Sequence, residues 1–317
     1  MPTLTQLEYI LAVEKYRHFS KAAKACHISQ PTLSQQIQKL EDELSIVVFD
    51  RIQKPIVPTD DGKRFIEQAK VVIRENEKLI HTARKGSKGV TGEFRLAVIP
   101  TVATYLVPLF LRDFSESYPG VELYIEELKT ETIIDGLRSD LIDGAILATP
   151  LAQQGFKEHP LYYEPFSLYA AKGHALLSKQ KISLKDLDAS QMWMLKDGNC
   201  FKTQVSNYCS INPSQDSVFK NIHFQSGSLD TLCHVIQKNR GYTLIPDLLT
   251  TLMTPTEVRS YVRPFAAPAP TREVSFVYRR DHWKLEIIEA LERSVMKSLP
   301  RHVSTERSKD LMILEIC

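Results

Sequence analysis

Two of the five cysteines, Cys200 and Cys209, stand nine positions apart in KDGNCFKTQVSNYC, with no histidine, carboxylate or third thiol between them. A structural zinc site needs four ligands, typically in pairs about two to four residues apart. This pair has neither that spacing nor flanking histidines, so no metal is expected. If Asn199 caps a helix, Cys200 falls in its first turn, where the dipole and open N–H groups favour the reactive thiolate. Along an unbroken helix Cys209 would lie about 13 Å away. A disulfide needs Cα atoms roughly 4.4–6.8 Å apart. Coupling the two sulfurs would therefore unwind the segment, with sulfenic acid at one cysteine and attack by the other. The residues alone also allow two small, inert core thiols, the commoner fate of a free cysteine. Cys26 and Cys233 are expected to be packed, and Cys317 ends a tail, RHVSTERSKDLMILEIC, expected to be loosely held.

At 317 residues, 43% hydrophobic and 25% charged, the chain is expected to form two or three globular domains. No run of 18 apolar residues occurs, so no membrane span is expected. The start, MPTLTQLEYILAVEKYRHF, does not read as a signal peptide. A cytoplasmic location follows, where thiols are kept reduced and any bridge is transient. Residues 1–90 carry 15 Lys/Arg against 11 Asp/Glu, and the remainder 25 against 27. The basic end is compatible with nucleic acid.

That end reads as three helices. Leu4, Leu7, Ile10 and Leu11 make one stripe. In FSKAAKACHISQPTLSQQIQKLEDEL, Ser20 and Ser29 are placed to cap two helices around a break at His27–Ser29, with Pro31 in a first turn. Leu33, Ile37, Leu40 and Leu44 share one face. Around the other lie Ser29, Gln30, Pro31, Thr32, Ser34, Gln35 and Gln38, whose amides and hydroxyls suit base edges and phosphates. The acidic run Glu41–Asp42–Glu43 is expected at the far end, away from the half that would enter a groove. Next, VVFDRIQKPIVPTDDG reads as a β-ribbon with Arg51 and Lys54 at its tip, a wing for the phosphate backbone. From Asp60 a long helix repeats Phe65, Ala69, Val72, Ile73, Leu79, Ile80 and Ala83, a stripe for a second copy. KGSKGVTGE at 85–93 reads as a hinge. A plain helical bundle has the same periodicity.

Beyond the hinge, apolar strands are expected at 94–99, 121–128, 144–148, 166–171, 192–195, 242–246 and 274–278, mostly separated by helices, in mainly parallel sheets. Ligands of such sheets bind where strands end and helices begin. Thr101, Thr130 and Ser228 stand at such points, although simple helix capping explains each singly.

FSKAAKACHISQPTLSQQIQKLEDELSIVVFDR resembles the winged helix-turn-helix of LysR-type transcriptional regulators, and the rest of the chain resembles their effector domain. The resemblance implies an all-α winged helix-turn-helix at 1–59 and a linker helix with hinge at 60–90. It implies an α/β, two-lobed, periplasmic-binding-protein-like regulatory domain at 91–300, followed by a tail at 301–317. Lobe I would comprise 91–163 and 267–300, and lobe II 164–266. It further implies a homo-oligomer, a dimer of dimers, on double-stranded promoter DNA with RNA polymerase as partner, and no enzyme.

KDGNCFKTQVSNYC, HFSKAAKACHISQPTLSQQI, IPTVATYL, SGSLDTL and PTREVSFVYR are similar to the hydrogen-peroxide-sensing members of that family. This similarity implies that Cys200 is peroxidatic, that Cys209 resolves it, and that Thr101, Thr130 and Arg272 hold the peroxide or the reacting sulfur. Asn199, Thr203, Gln204 and Ser228 take secondary positions in the pocket. A thiol reductant of the glutaredoxin or thioredoxin type would reset the pair, and no cofactor is implied. Asn199 stands where those regulators commonly have His, and Thr203 where they commonly have Asp. An imidazolium and a carboxylate are thereby lost. Two other readings remain. One is a LysR-type regulator that senses a small metabolite with inert thiols. The other is a thiol peroxidase, for which the amide-faced helix has no purpose.

Overall fold

The structure, a computed structural model, describes residues 1–84, 89–151, 153–196, 218–219, 222, 224, 226–308 and 311–314. Asn199, Cys200, Thr203, Gln204, Cys209 and Cys317 lie outside the described residues. The chain divides into two compact units, Met1–Lys88 and Gly89–Cys317.

In the first unit, α1 (Leu4–Tyr16) opens with a capping box between Thr3 and Gln6. Leu7, Ile10 and Val13 face the core, while Leu4 is exposed. Helix α2 (Phe19–Ala25) starts only three residues after α1 ends, which makes His18 its cap. His18 Nδ1 accepts from Ser20 N at 3.2 Å, so Ser20 is a first-turn residue and not the expected cap. His27, at φ +56°, turns the chain into α3 (Gln30–Leu44). Ser29 caps α3 by accepting from Thr32 N, and Pro31 takes the first turn, where its missing N–H costs nothing. Ala22, Ala23, Leu33, Ile37 and Leu40 pack with Ile10 and Val13.

Glu41, in the acidic run at the far end of α3, is only 4% exposed. Its Oε1 accepts from Val48 N (2.7 Å) and Phe49 N (3.3 Å), satisfying backbone donors at the start of the wing. The wing is a minimal ribbon of β1 (Phe49–Asp50) and β2 (Val57–Pro58), antiparallel. Helix α4 (Asp60–Arg84) leaves from it. A Cβ on Gly62 would meet Val48 O at 2.0 Å, so only glycine lets α4 approach the wing this closely. Along α4, Ile66 and Ala69 are buried, but Val72, Leu79 and Ile80 are 40%, 68% and 43% exposed.

In the second unit, β3 (Gly92–Val98) pairs in parallel with β4 (Val121–Glu127) and β5 (Gly144–Thr149), and α5 (Pro100–Ser117) and α6 (Thr130–Arg138) follow β3 and β4. The strand expected at 166–171 is the end of a much longer one, β6 (Phe156–Ala170). β6 runs antiparallel to β9 (Ala269–Arg279) from Phe156 to Pro165, then to β7 (Tyr242–Pro246) from Phe166 onwards. One strand thus passes from one sheet into the next, as the two-lobed fold requires. The expectation of mainly parallel sheets is corrected: β5–β9, β6–β9, β6–β7 and the pairing of β6 with β8 (Val262–Pro264) are all antiparallel. The stretch 192–195 is no strand either, making only isolated bridges from Met192 to Tyr242 and from Leu195 to Ser226. Helix α7 (Leu229–Lys238) precedes β7, capped by Ser228.

The tail is tied down rather than loose. Tyr163 N donates to Ser304 O (2.8 Å), and His302 Nε2 lies 3.3 Å from Asp247. β10 (Leu311–Ile313) adds a parallel strand to Ala269–Thr271, and Leu314 is buried.

Candidate functional site

The sheet register sets Glu164 of β6 directly opposite Arg272 of β9. Both are fully buried, and Arg272 lies in the core among aromatic rings, its guanidinium 6.0 Å from the Phe166 ring. A buried guanidinium must have its donors satisfied. Nε donates to Glu164 Oε2 at 2.8 Å, Nη1 to Thr101 Oγ1 at 3.0 Å, and Nη2 to Thr101 O at 2.8 Å and to Tyr105 Oη. Glu164 Oε1 accepts from Leu248 N at 3.0 Å. Burial pushes the Glu164 carboxyl up against the pull of Arg272. The donors on both of its oxygens nevertheless describe the ionised form. Tyr162 Oη is buried beside this network with no hydrogen-bond partner among the described residues, and burial holds its phenol protonated.

Thr101 separates the network from a cavity of about 70 Å³ lined by residues including Thr101, Thr104, Tyr105, Glu127, Ser228 and Leu249. Two helices point their N-termini at it: α5, which begins at Pro100, and α7, which begins after the Ser228 cap. Each end carries partial positive charge, set against the carboxylates of Glu127 and Asp230 in the same lining. The structure therefore brings Thr101, Arg272 and Ser228 to one place, with Arg272 a layer behind the wall. Thr130 opens α6, is half-buried, and is not among the lining residues. Sequence reasoning missed Glu164 and Tyr105. The signal for Glu164 was one carboxylate inside the apolar run LYYEPFSLYA, since a buried acid demands a cationic partner.

In the first unit, Gln30, Pro31, Ser34, Gln35, Gln38 and Arg51 line one groove along the outer face of α3. Ser29 Oγ and Thr32 Oγ1 are 2.7 Å apart at its N-terminal end. Arg51 does not stand free at the wing tip: Nη2 donates to Glu41 Oε2 at 2.7 Å, Nη1 reaches Ser34 Oγ at 3.5 Å, and the guanidinium lies over the Phe19 ring. Asp42 and Glu43 line the same groove, and Gln38 Nε2 donates to Asp42.

Residues 4–63 match the bacterial regulatory helix-turn-helix protein, lysR family, and residues 87–299 match the LysR substrate binding domain. The chain belongs to the LysR family of transcriptional regulators. It is 34% identical over 276 residues to the hydrogen peroxide-inducible genes activator of Haemophilus influenzae, covering 87% of this chain and 90% of that one. It is 33% identical over 278 residues to the DNA-binding transcriptional dual regulator OxyR of Escherichia coli, covering 87% and 89%. Among solved structures, a full-length cysteine-to-aspartate variant of Pseudomonas aeruginosa OxyR superposes with a TM-score of 0.77 at 30% identity, over 93% of this chain and 97% of that one. A hydrogen-peroxide-bound cysteine variant of Corynebacterium glutamicum OxyR gives 0.61 at 28% identity, over 94% and 92%. Among the described residues no helix is long and apolar enough to cross a membrane.

Proposed function

We propose that this protein is a peroxide-responsive transcriptional activator, in which hydrogen peroxide oxidises Cys200 and a Cys200–Cys209 disulfide then changes conformation and promoter binding. The observation that carries this reading is the cavity of about 70 Å³ where two helix N-termini meet the Thr101 hydroxyl. A water molecule takes up roughly 30 Å³, so a molecule of two linked oxygens fits. The relatives' names, hydrogen peroxide-inducible genes activator and OxyR, support the same reading. Lys196 N donates to Ser226 O at 2.8 Å, beside the lining residues Gly227 and Ser228.

The chemistry balances in two steps. The Cys200 thiolate attacks one peroxide oxygen, the S–O bond forms as the O–O bond breaks, and two electrons pass from sulfur to peroxide. The far oxygen leaves as hydroxide and takes up a proton to become water. The Cys209 thiolate then attacks the sulfenic sulfur, and the S–OH oxygen leaves as a second hydroxide. Thr101 Oγ1 already accepts from Arg272, so its own hydrogen turns away from the guanidinium and serves the departing oxygen. The helix dipoles favour the same negative charge. Thr130, Thr203, Gln204 and Ser228 are further polar contacts for peroxide or sulfur. Asn199 contributes hydrogen bonding without titrating.

In this reading the α3 face, Ser29 to Gln38, reads promoter DNA, Arg51 approaches phosphate, and α4 joins copies into a dimer and then a dimer of dimers. The divisions 1–59, 60–90, 91–300 and 301–317 serve these tasks. RNA polymerase, a thiol reductant and a cytoplasmic setting complete the proposal. The test is mass spectrometry of the purified protein after micromolar peroxide: the expected product is an intramolecular Cys200–Cys209 disulfide. If both stay reduced while other thiols oxidise, the reading fails.

A further inference from the structure

We infer that Glu164 and Tyr105 are positioning residues for the peroxide reaction, holding Arg272 so that the Thr101 hydroxyl is aimed into the cavity; this rests on the reading above.

Arg272 is fully buried and is not a lining residue, so it acts on the cavity through Thr101. What it does there depends on how firmly the guanidinium is held. Glu164 Oε2 lies 2.8 Å from Nε and 2.7 Å from Nη2, which fixes the plane of the fork. Tyr105, one turn after Thr101 on α5, accepts from Nη2 on the other side and itself lines the cavity. Held between them, Nη1 meets Thr101 Oγ1 and Nη2 meets Thr101 O, occupying a lone pair of the hydroxyl and fixing the backbone beneath it. Glu164 does a second task with its other oxygen. Oε1 accepts from Leu248 N at 3.0 Å, next to the lining residue Leu249, so one carboxylate sets both the donor and part of the cavity wall. Every contact to Glu164 here comes from an N–H donor. A glutamine must turn its NH₂ group towards one of those donors, so Glu164→Gln cannot reproduce the arrangement at equal size.

A merely structural role lowers stability and disturbs Cys200 towards every reagent. A positioning role is specific to peroxide, because iodoacetamide needs the thiolate and not the aimed hydroxyl. The test measures the second-order rate of Cys200–Cys209 disulfide formation with peroxide and, in parallel, the pH-dependent alkylation of Cys200 by iodoacetamide. Full-length wild type, Glu164→Gln and Tyr105→Phe are compared. The expected result is a peroxide rate lowered about tenfold in both variants, less than the hundredfold or more that loss of a direct oxyanion donor costs, with alkylation unchanged. Folded variants that react with peroxide at the wild-type rate overturn the inference, and so does equal slowing of both reactions. If Glu164→Gln does not fold, Tyr105→Phe, which removes one oxygen, decides the matter alone. A wild type that forms no disulfide refutes the underlying proposal instead, and alkylation still reports on the thiol.

Discussion

His282 shows how much one buried ring contributes. Its side chain lies edge-on to Phe94 (ring centroids 6.1 Å) and beside Tyr278, while Nε2 stands 3.8 Å from Asp143, too far for a hydrogen bond. Asp143 is already engaged by Lys284 at 2.8 Å and by Arg95 N at 2.9 Å. Burial pushes the imidazole down to about 4 from 6.5, so the folded state prefers it neutral. The stabilisation is fully present above pH 6.5 and is lost as pH falls from 6.5 towards 4, where the unfolded chain binds the proton first. That gap corresponds to about 3 kcal/mol, most of it gone by pH 4.5. Urea unfolding of His282→Gln is expected to show lower stability than wild type at pH 7.5 but a flatter decline towards pH 5; an unchanged slope refutes this. Cys233 illustrates the opposite use of burial. Its thiol is pushed up to about 12 by desolvation and then by Asp230. A thiolate population on the order of one part in 10⁴ or less at neutral pH makes it a poor nucleophile. Mass spectra of peroxide-treated native protein are expected to show Cys233 unmodified, becoming alkylatable only on unfolding.

Elements with regular periodicity were legible. The apolar stripe of α3 and the caps at Ser29 and Ser228 stand where the sequence puts them, because 3.6-residue spacing and capping are local properties. β6 was legible only in its second half: Phe156–Pro165 holds Lys157, Glu158, His159, two prolines and Glu164, and becomes strand through nine residue pairs with β9, over a hundred positions away. The site was partly legible. Thr101 and Arg272 emerged through resemblance, but their bond, and Glu164 behind it, depends on sheet register that no local pattern contains. The tail was misjudged for the same reason, its polarity hiding Val303 and Leu314, which are 9% and 1% exposed. It contacts Tyr163, Asp247 and Ala269–Thr271, which neighbour Glu164, Leu248 and Arg272 along the chain. Deleting residues 301–317 removes two buried aliphatic side chains, Val303 and Leu314, whose burial is worth about 1.5–3 kcal/mol each, and breaks the β10 pairing. Differential scanning calorimetry of the truncated chain is expected to show the second unit melting roughly 10 °C lower; an unchanged transition dismisses the tail as ornament.

At the scale of the whole molecule, the proposed promoter recognition combines base reading by α3 with duplication through α4. Val72, Leu79 and Ile80 expose an apolar stripe that ordinary solvated helices avoid, and a second copy is its expected cover. Leu79→Glu with Ile80→Glu places two charges in that contact, and sedimentation is expected to show smaller oligomers. On a duplex selected for tight binding by the wild type, affinity then falls to that of one half-site, because two recognition helices no longer bind as a unit. Within each copy the contacts divide by kind. Gln35, exposed on the outer face, is expected to discriminate bases, so Gln35→Ala lowers affinity for the selected duplex by about 1–3 kcal/mol and leaves random DNA unaffected. Lys39→Ala is expected to weaken all sequences alike and reduce the salt slope by roughly 0.9. Arg51→Ala adds a folding effect to the second class. It removes a cation from the groove but also leaves the buried Glu41 carboxylate without its 2.7 Å partner, a loss of about 1–3 kcal/mol in folding stability. Affinities measured by fluorescence anisotropy over a salt series, with thermal melts of the same three variants, separate these effects. A Gln35→Ala variant that loses selected and random DNA equally would remove α3 from the role of reading bases.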